Sequence, residues 1–142
     1  MHDNGLPVWV FMLPLGLVAV GYLIAFTRKG SVRNVHMGSR RLDVHTAADP
    51  ATAFNRIRAM RGKFTADDSD PSSNMVVLAS AVTFFSWGFL YPVTIQAEGS
   101  GSRIQIGIQS KFIQIGPVVG KWHRDCVAAI EAELSIPSAR VA

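Results

Sequence analysis

The stretch from Leu6 to Phe26, LPVWVFMLPLGLVAVGYLIAF, carries no charged residue and is followed at once by Arg28 and Lys29. At a rise of about 1.5 Å per residue, a helix of this length matches a hydrocarbon core of about 30 Å, and its Leu, Val, Met and Phe suit lipid. The sequence therefore predicts a transmembrane anchor over 1–27. Trp9 and Tyr22, near its two ends, suit interfacial anchoring, while Pro14 with Gly16 would bend the helix or flatten one face. Gly21 and Ala25 form a small-xxx-small pair, the spacing that lets a second helix approach closely in lipid. A cleaved signal would need a basic start, whereas this chain begins MHDN and has its basic residues on the far side, so the helix is expected to stay.

The same asymmetry sets the orientation. Arg28, Lys29, Arg33, Arg40 and Arg41 follow the helix with no acidic residue among them, and the other flank holds only His2 and Asp3. By the positive-inside rule the N-terminus lies outside and the remainder in the cytoplasm. Residues 28–40 read as a basic juxtamembrane linker whose cations set topology and touch anionic headgroups, each contributing about 1 kcal/mol near such a surface.

A second apolar run, Met75 to Ile95, also lacks charge and is as long as a span. Its continuation argues against a second crossing. Ile104, Ile106 and Ile108 alternate with Gln105, Gly107 and Gln109, the period of a half-buried strand. With Gly99 and Ser100 as a two-residue loop, Ile95 falls opposite Ile104, Val93 opposite Ile106 and Tyr91 opposite Ile108, and Gln96 and Thr94 meet Arg103 and Gln105. Ser80, Thr83, Ser86, Gly88 and Pro92 interrupt the run, and a second crossing would put Arg103, Lys111, Lys121 and Arg124 outside. The expectation is a strand from Met75 to about Thr83, a bend in FFSWG, and a second strand from Phe89 to about Ala97.

Two helices complete the pattern. Asp49 before Pro50 is a helix start, with Phe54, Ile57 and Phe64 near one face and Arg56 and Lys63 toward solvent. TADDSDPSSN then reads as an acidic, turn-rich loop. The last helix opens at Pro117 with a stripe of Val119, Trp122, Cys126, Ile130 and Leu134, pairs Lys121 with Asp125, and ends at Ile136 and Pro137. Adding a strand at Arg41–Thr46, the fold class is α+β: one transmembrane helix, then a β-α-β-β-β-α domain over 41–136 with an antiparallel sheet on a long C-terminal helix, and a tail over 137–142.

This order, with SWGF, SRIQIGIQSK and GPVVGKWH in these places, resembles small bacterial membrane-anchored proteins of unknown function whose soluble part is similar to a shortened helix-grip or TBP-like fold. The likeness covers about Arg40 to Leu134. It implies a bacterial cytoplasmic membrane as the location. Helix-grip relatives often hold an apolar ligand between sheet and long helix, but this chain has fewer expected strands than the ligand-carrying members.

Catalytic chemistry is sparse. Cys126 is the only cysteine, which excludes an intramolecular disulfide, and on the apolar stripe it reads as a small buried hydrophobe. His123, three residues earlier, would need further ligands from His36, His45 or a carboxylate to hold a metal. EGSGS lacks the strand-to-helix setting and the Lys of a phosphate loop, and Asp67, Asp68 and Asp70 lack the Gly and Glu of an EF-hand. The positive charge gathers beside the apolar helix, which disfavours nucleic acid as a partner. With 49% apolar and only 17% charged residues, the composition suits a chain partly in lipid better than an ordinary soluble domain.

Two functions fit these residues, and neither needs a cofactor. One is a non-catalytic accessory subunit of a larger membrane protein complex, bound to integral membrane proteins through its helix and its domain. The other is a membrane-tethered module for a lipid or other apolar ligand, its pocket lined by Phe84, Trp87, Ile106 and Trp122.

Overall fold

The computed structural model describes residues 7–83, 86–112 and 116–135. The first element is helix α1, Trp9–Thr27, long and apolar enough to cross a membrane. It runs unbroken through Pro14. Helix α2, Pro50–Arg58, starts as its sequence dictates: the Asp49 carboxylate accepts from the Thr52 amide at 3.0 Å, and Pro50 occupies the first turn. The long helix α3 spans Pro117–Ser135.

The strands are β1 (Arg41–Thr46), β2 (Phe64–Asp70), β3 (Met75–Ser80), β4 (Phe89–Glu98), β5 (Gly101–Gly107) and the short β6 (Gln109–Ser110). They form one antiparallel sheet in the order β1-β5-β4-β3-β2, with β6 beside β4. The β4–β5 hairpin has the register expected from the alternation, with Ile95 opposite Ile104, Val93 opposite Ile106 and Gln96 opposite Arg103. That ladder breaks where Pro92 has no amide to offer. Gly107 lies against it, and a Cβ there would sit 2.9 Å from Pro92 Cγ.

Three expectations need correction. TADDSD is strand β2 rather than a loop, and with the short β6 the domain has two more strands than its sequence suggested. Asp and Ser are poor strand formers, and pairing with the apolar β3 overrides that preference. Phe64 accordingly opens β2 instead of sitting on α2, although it still reaches the core. Arg56 does not simply face solvent: its guanidinium donates to the carbonyl of Leu134 at 3.2 Å, placing a cation at the C-terminal end of α3.

Helices α2 and α3 cover one face of the sheet. Phe54, Ile57, Cys126 and Ile130 from the helices meet Val76, Leu78, Phe89, Tyr91, Ile104 and Ile106 from the strands, all buried. The other face is covered by the linker after α1. Gly30 lies so close to the sheet that a Cβ would come within 2.5 Å of Val77 Cγ1, and Val35 is buried with Val77, Ala79 and Leu90. This double cover explains why Met75–Ile95 looks like a span. A strand buried on both faces has no polar side to show, so its sequence becomes a continuous apolar run.

The basic linker is therefore part of the domain and not a free tether. A bulge between Ala66 and Asp68 interrupts the β2 register, and the carboxylates of Asp67 and Asp68 accept from the amides of Gly30 and Val32, each at 2.9 Å. The Val32 amide is the main reason the Asp68 carboxyl lies below its ordinary value of 3.8. A group lowered on folding adds stability above its unfolded value and loses it as pH falls through the folded one. Asp68→Ala at neutral pH is expected to loosen the linker and speed tryptic cleavage after the exposed Arg33 severalfold, and strong acid on the unaltered chain is expected to loosen it likewise, read by pepsin, which works there. Unchanged cleavage would show that the Asp67 bond to Gly30 and the packing of Val35 hold the segment down without Asp68.

Candidate functional site

The most constructed corner of the molecule is where α1 meets its own domain. Gly21 and Ala25 are both buried, and a Cβ at Gly21 would sit 3.0 Å from Trp87 Cη2 and 3.2 Å from Phe112 Cε1. The Tyr22 ring lies 4.6 Å from that of Trp87, which in turn meets Phe112 edge-on at 5.2 Å. The Tyr22 hydroxyl donates to the Thr83 carbonyl at 3.4 Å. The small-xxx-small face of α1 is thus occupied within the chain and is not open to a second helix. Composition could not disclose this, because the same spacing serves either partner.

Below this aromatic group the polar contacts are dense. Arg28 donates to the Lys111 carbonyl at 3.1 Å. The Lys111 side chain is buried and its ammonium donates to the Ser80 carbonyl at 3.2 Å, while loss of water lowers its pKa from the ordinary lysine value. The Ser80 hydroxyl accepts from the Phe89 amide at 2.9 Å. Lys111, Phe112, Asp67 and Asp68 were not legible as site residues, because each acts through a partner far away in the chain.

The opposite side of α1 is open. Trp9, Met12, Leu13, Leu17 and Val20 frame an apolar groove around Gly16, where a Cβ would find nothing within 4 Å. Pro14 belongs to the same helix without breaking it.

Of the residues proposed for an apolar pocket, Ile106 and Trp122 share the core cluster while Trp87 stands apart from them. Ile106 is fully buried in the core between sheet and helices, and the half-buried Trp122 packs against that core, its ring centroid 6.3 Å from that of Phe64 and 6.2 Å from that of Phe89. Trp87 stands instead against α1. Phe84 lies outside the described residues. A different cleft, of about 290 Å³, opens between the start of β1 and the start of α3, bordered by Gly38, Ser39, Arg40, Ile108, Gly116 and Val119. That volume is at the lower end of small-molecule pockets.

Most of the remaining candidates have structural partners, and the linker also carries exposed cations. Arg41 donates to the Gly38 carbonyl at 2.9 Å, and Lys29, Arg33 and Arg40 are exposed. His123 is buried on α3, its Nε2 2.7 Å from the Ile106 carbonyl, and burial lowers its pKa. Burial likewise pushes the Cys126 thiol far up, so it is not held as a thiolate. His45 pairs with Glu98 at 2.5 Å on the surface. Asp70 accepts from the hydroxyls of Ser72 and Ser73 in the β2–β3 turn. Among the described residues, no three His, Cys, Asp or Glu side chains gather as metal ligands.

No family model and no curated protein matches the chain. Solved structures do. The crystal structure of Ara h 8.0201 superposes with a TM-score of 0.51 at 9% identity, over 70% of this chain and 95% of that one. The solution structure of an Arabidopsis thaliana member of the major latex protein family gives 0.52 at 12% identity, over 75% and 96%. At such identities the likeness concerns the fold: the domain is helix-grip-like, an antiparallel sheet packed on a C-terminal helix.

Proposed function

We propose that this protein is a non-catalytic, membrane-anchored accessory subunit of a larger membrane protein complex, with α1 spanning a bacterial cytoplasmic membrane, the N-terminus outside and the domain inside. It would stand with the small bacterial anchored proteins that its sequence resembles. The observation that carries the reading is the groove at Gly16. With Gly21 and Ala25 already packed on the domain, Gly16 is where a neighbouring transmembrane helix could approach the α1 backbone. Docking of α1 also supports it, because a domain fixed to its anchor presents one constant surface to its neighbours. Arg28, Lys29, Arg33, Arg40 and Arg41 would meet anionic headgroups or an acidic neighbour around that anchor.

The test is gentle extraction of the native tagged protein in nanodiscs, beside Gly16→Leu. A stoichiometric set of membrane proteins is expected with the unaltered chain, its affinity falling about five- to thirtyfold for the variant if the groove contributes about 1–2 kcal/mol. A lone protomer from the unaltered chain would defeat the reading. A second reading, a membrane-tethered module for a lipid or another apolar molecule, draws its support from the helix-grip-like fold rather than from the cleft beside α3, whose border includes Ser39, Arg40 and Ser110. A lone protomer carrying a lipid would move the assignment there.

A further inference from the structure

We propose that the corner of the domain bearing Trp87 and Phe112 enters the membrane beside α1, so that the domain is partly immersed in the leaflet rather than suspended above it. The inference rests on the reading of α1 as a span. Its first support is length. A helix of 19 residues covers about 28 Å, no more than the hydrocarbon core is thick. Gly21 lies between one and two turns before Thr27, about 9 Å from the end of the helix. If the turns that touch the domain were withdrawn from lipid, the remaining Trp9–Val20 would reach only about 18 Å, too short to cross. Whatever lies against Gly21 is therefore at leaflet depth.

The second support is chemistry. The side chains at that depth are Trp87 and Phe112, with Tyr22 beside them; the amphipathic Trp and Tyr rings favour the interfacial layer, and the Phe ring suits the apolar side of it. The cations come beyond them, Arg28 just past the end of α1 and Lys111 immediately before Phe112.

The third support is the backbone. Irregular chain at membrane depth is tolerated only where its polar groups are paired. Thr83 and Ser86 exchange both amide-to-carbonyl bonds, at 2.8 and 3.2 Å, and the Gly88 amide donates to the Ser86 hydroxyl at 3.1 Å. The Gly88 carbonyl accepts from the Lys111 amide at 3.1 Å, and the Thr83 carbonyl also accepts from Tyr22. These bonds satisfy, among the described residues, the backbone groups of Thr83, Ser86 and Gly88 that water would otherwise have to meet.

The experiment uses the full chain in vesicles containing anionic lipid, with acyl chains brominated near the carbonyl end. Trp9→Phe with Trp122→Phe leaves Trp87 as the only tryptophan, and Trp87→Phe with Trp122→Phe leaves Trp9. Trp87 emission is expected to be quenched to the same degree as that of Trp9. Comparing the unaltered chain with Trp87→Phe alone reads the same quantity with the core intact, should a double variant fold poorly. Quenching of Trp9 without Trp87 would overturn the inference and leave the span standing. Quenching of neither would remove the span, and this inference with it.

Discussion

Phe89→Ala is expected to destabilise the domain by about 3–5 kcal/mol, read as a shift of the urea midpoint of the near-ultraviolet dichroism in mild detergent. Phe89 opens β4 fully buried, and its ring stands 6.3 Å from Tyr91 and 6.2 Å from Trp122. It thus joins the sheet to α3. A loss of this size is a large share of the 5–15 kcal/mol typical of a domain, so the variant should be close to unfolding at room temperature. The outcome also bears on function. A loss below about 1 kcal/mol would mean that the neighbours close over the deletion or that the core already contains room, which would favour the ligand reading over a solid scaffold.

Gly101→Ala is the second large effect, expected to cost about 3 kcal/mol or more, at the upper end of overpacking substitutions. Gly101 pairs with Glu98 across the β4–β5 turn and begins β5. A Cβ there would lie 2.0 Å from the Thr46 carbonyl oxygen and 3.1 Å from Ala47 Cα. Both obstacles are backbone, which cannot rotate aside as a side chain would. Relief requires β5 to separate from the end of β1, where Ser102 pairs with Thr46 and also donates to the Ala48 carbonyl at 2.8 Å. Gly38→Ala, with nothing within 4 Å of its Cβ, is the control and should stay within about 0.5 kcal/mol. Equal stability of the two variants would show that the β1–β5 junction yields easily.

The readings that held are those in which cause and effect lie close together along the chain. Asp49 and Pro50 start α2 because the capping carboxylate and the amide that it meets are neighbours. Lys121 pairs with Asp125 one helical turn away, at 3.2 Å. The β4–β5 register follows from two alternations joined by a short loop, with Gly99 at φ 58° allowing the turn. The readings that failed depend on distant partners. TADDSD has the composition of a loop, and becomes β2 because β3 needs a neighbour on its outer side and the linker needs acceptors for its amides.

The sequence by itself determined an apolar N-terminal helix, an α+β domain, the central hairpin and the helix starts, because periodicity, capping and charge asymmetry are local patterns that few folds can contradict. Tertiary structure alone decided how those parts are used. Met75–Ile95 is two strands because helices cover one face and the linker the other. Gly21 receives its own domain because Trp87 and Phe112 arrive there from residues far along the chain, and Ala25, one turn on, is buried with it. A small-residue face or an apolar run states only that something must cover it. What does so depends on which surfaces meet when the whole chain minimises its exposed apolar area and unpaired backbone, and no single segment contains that information.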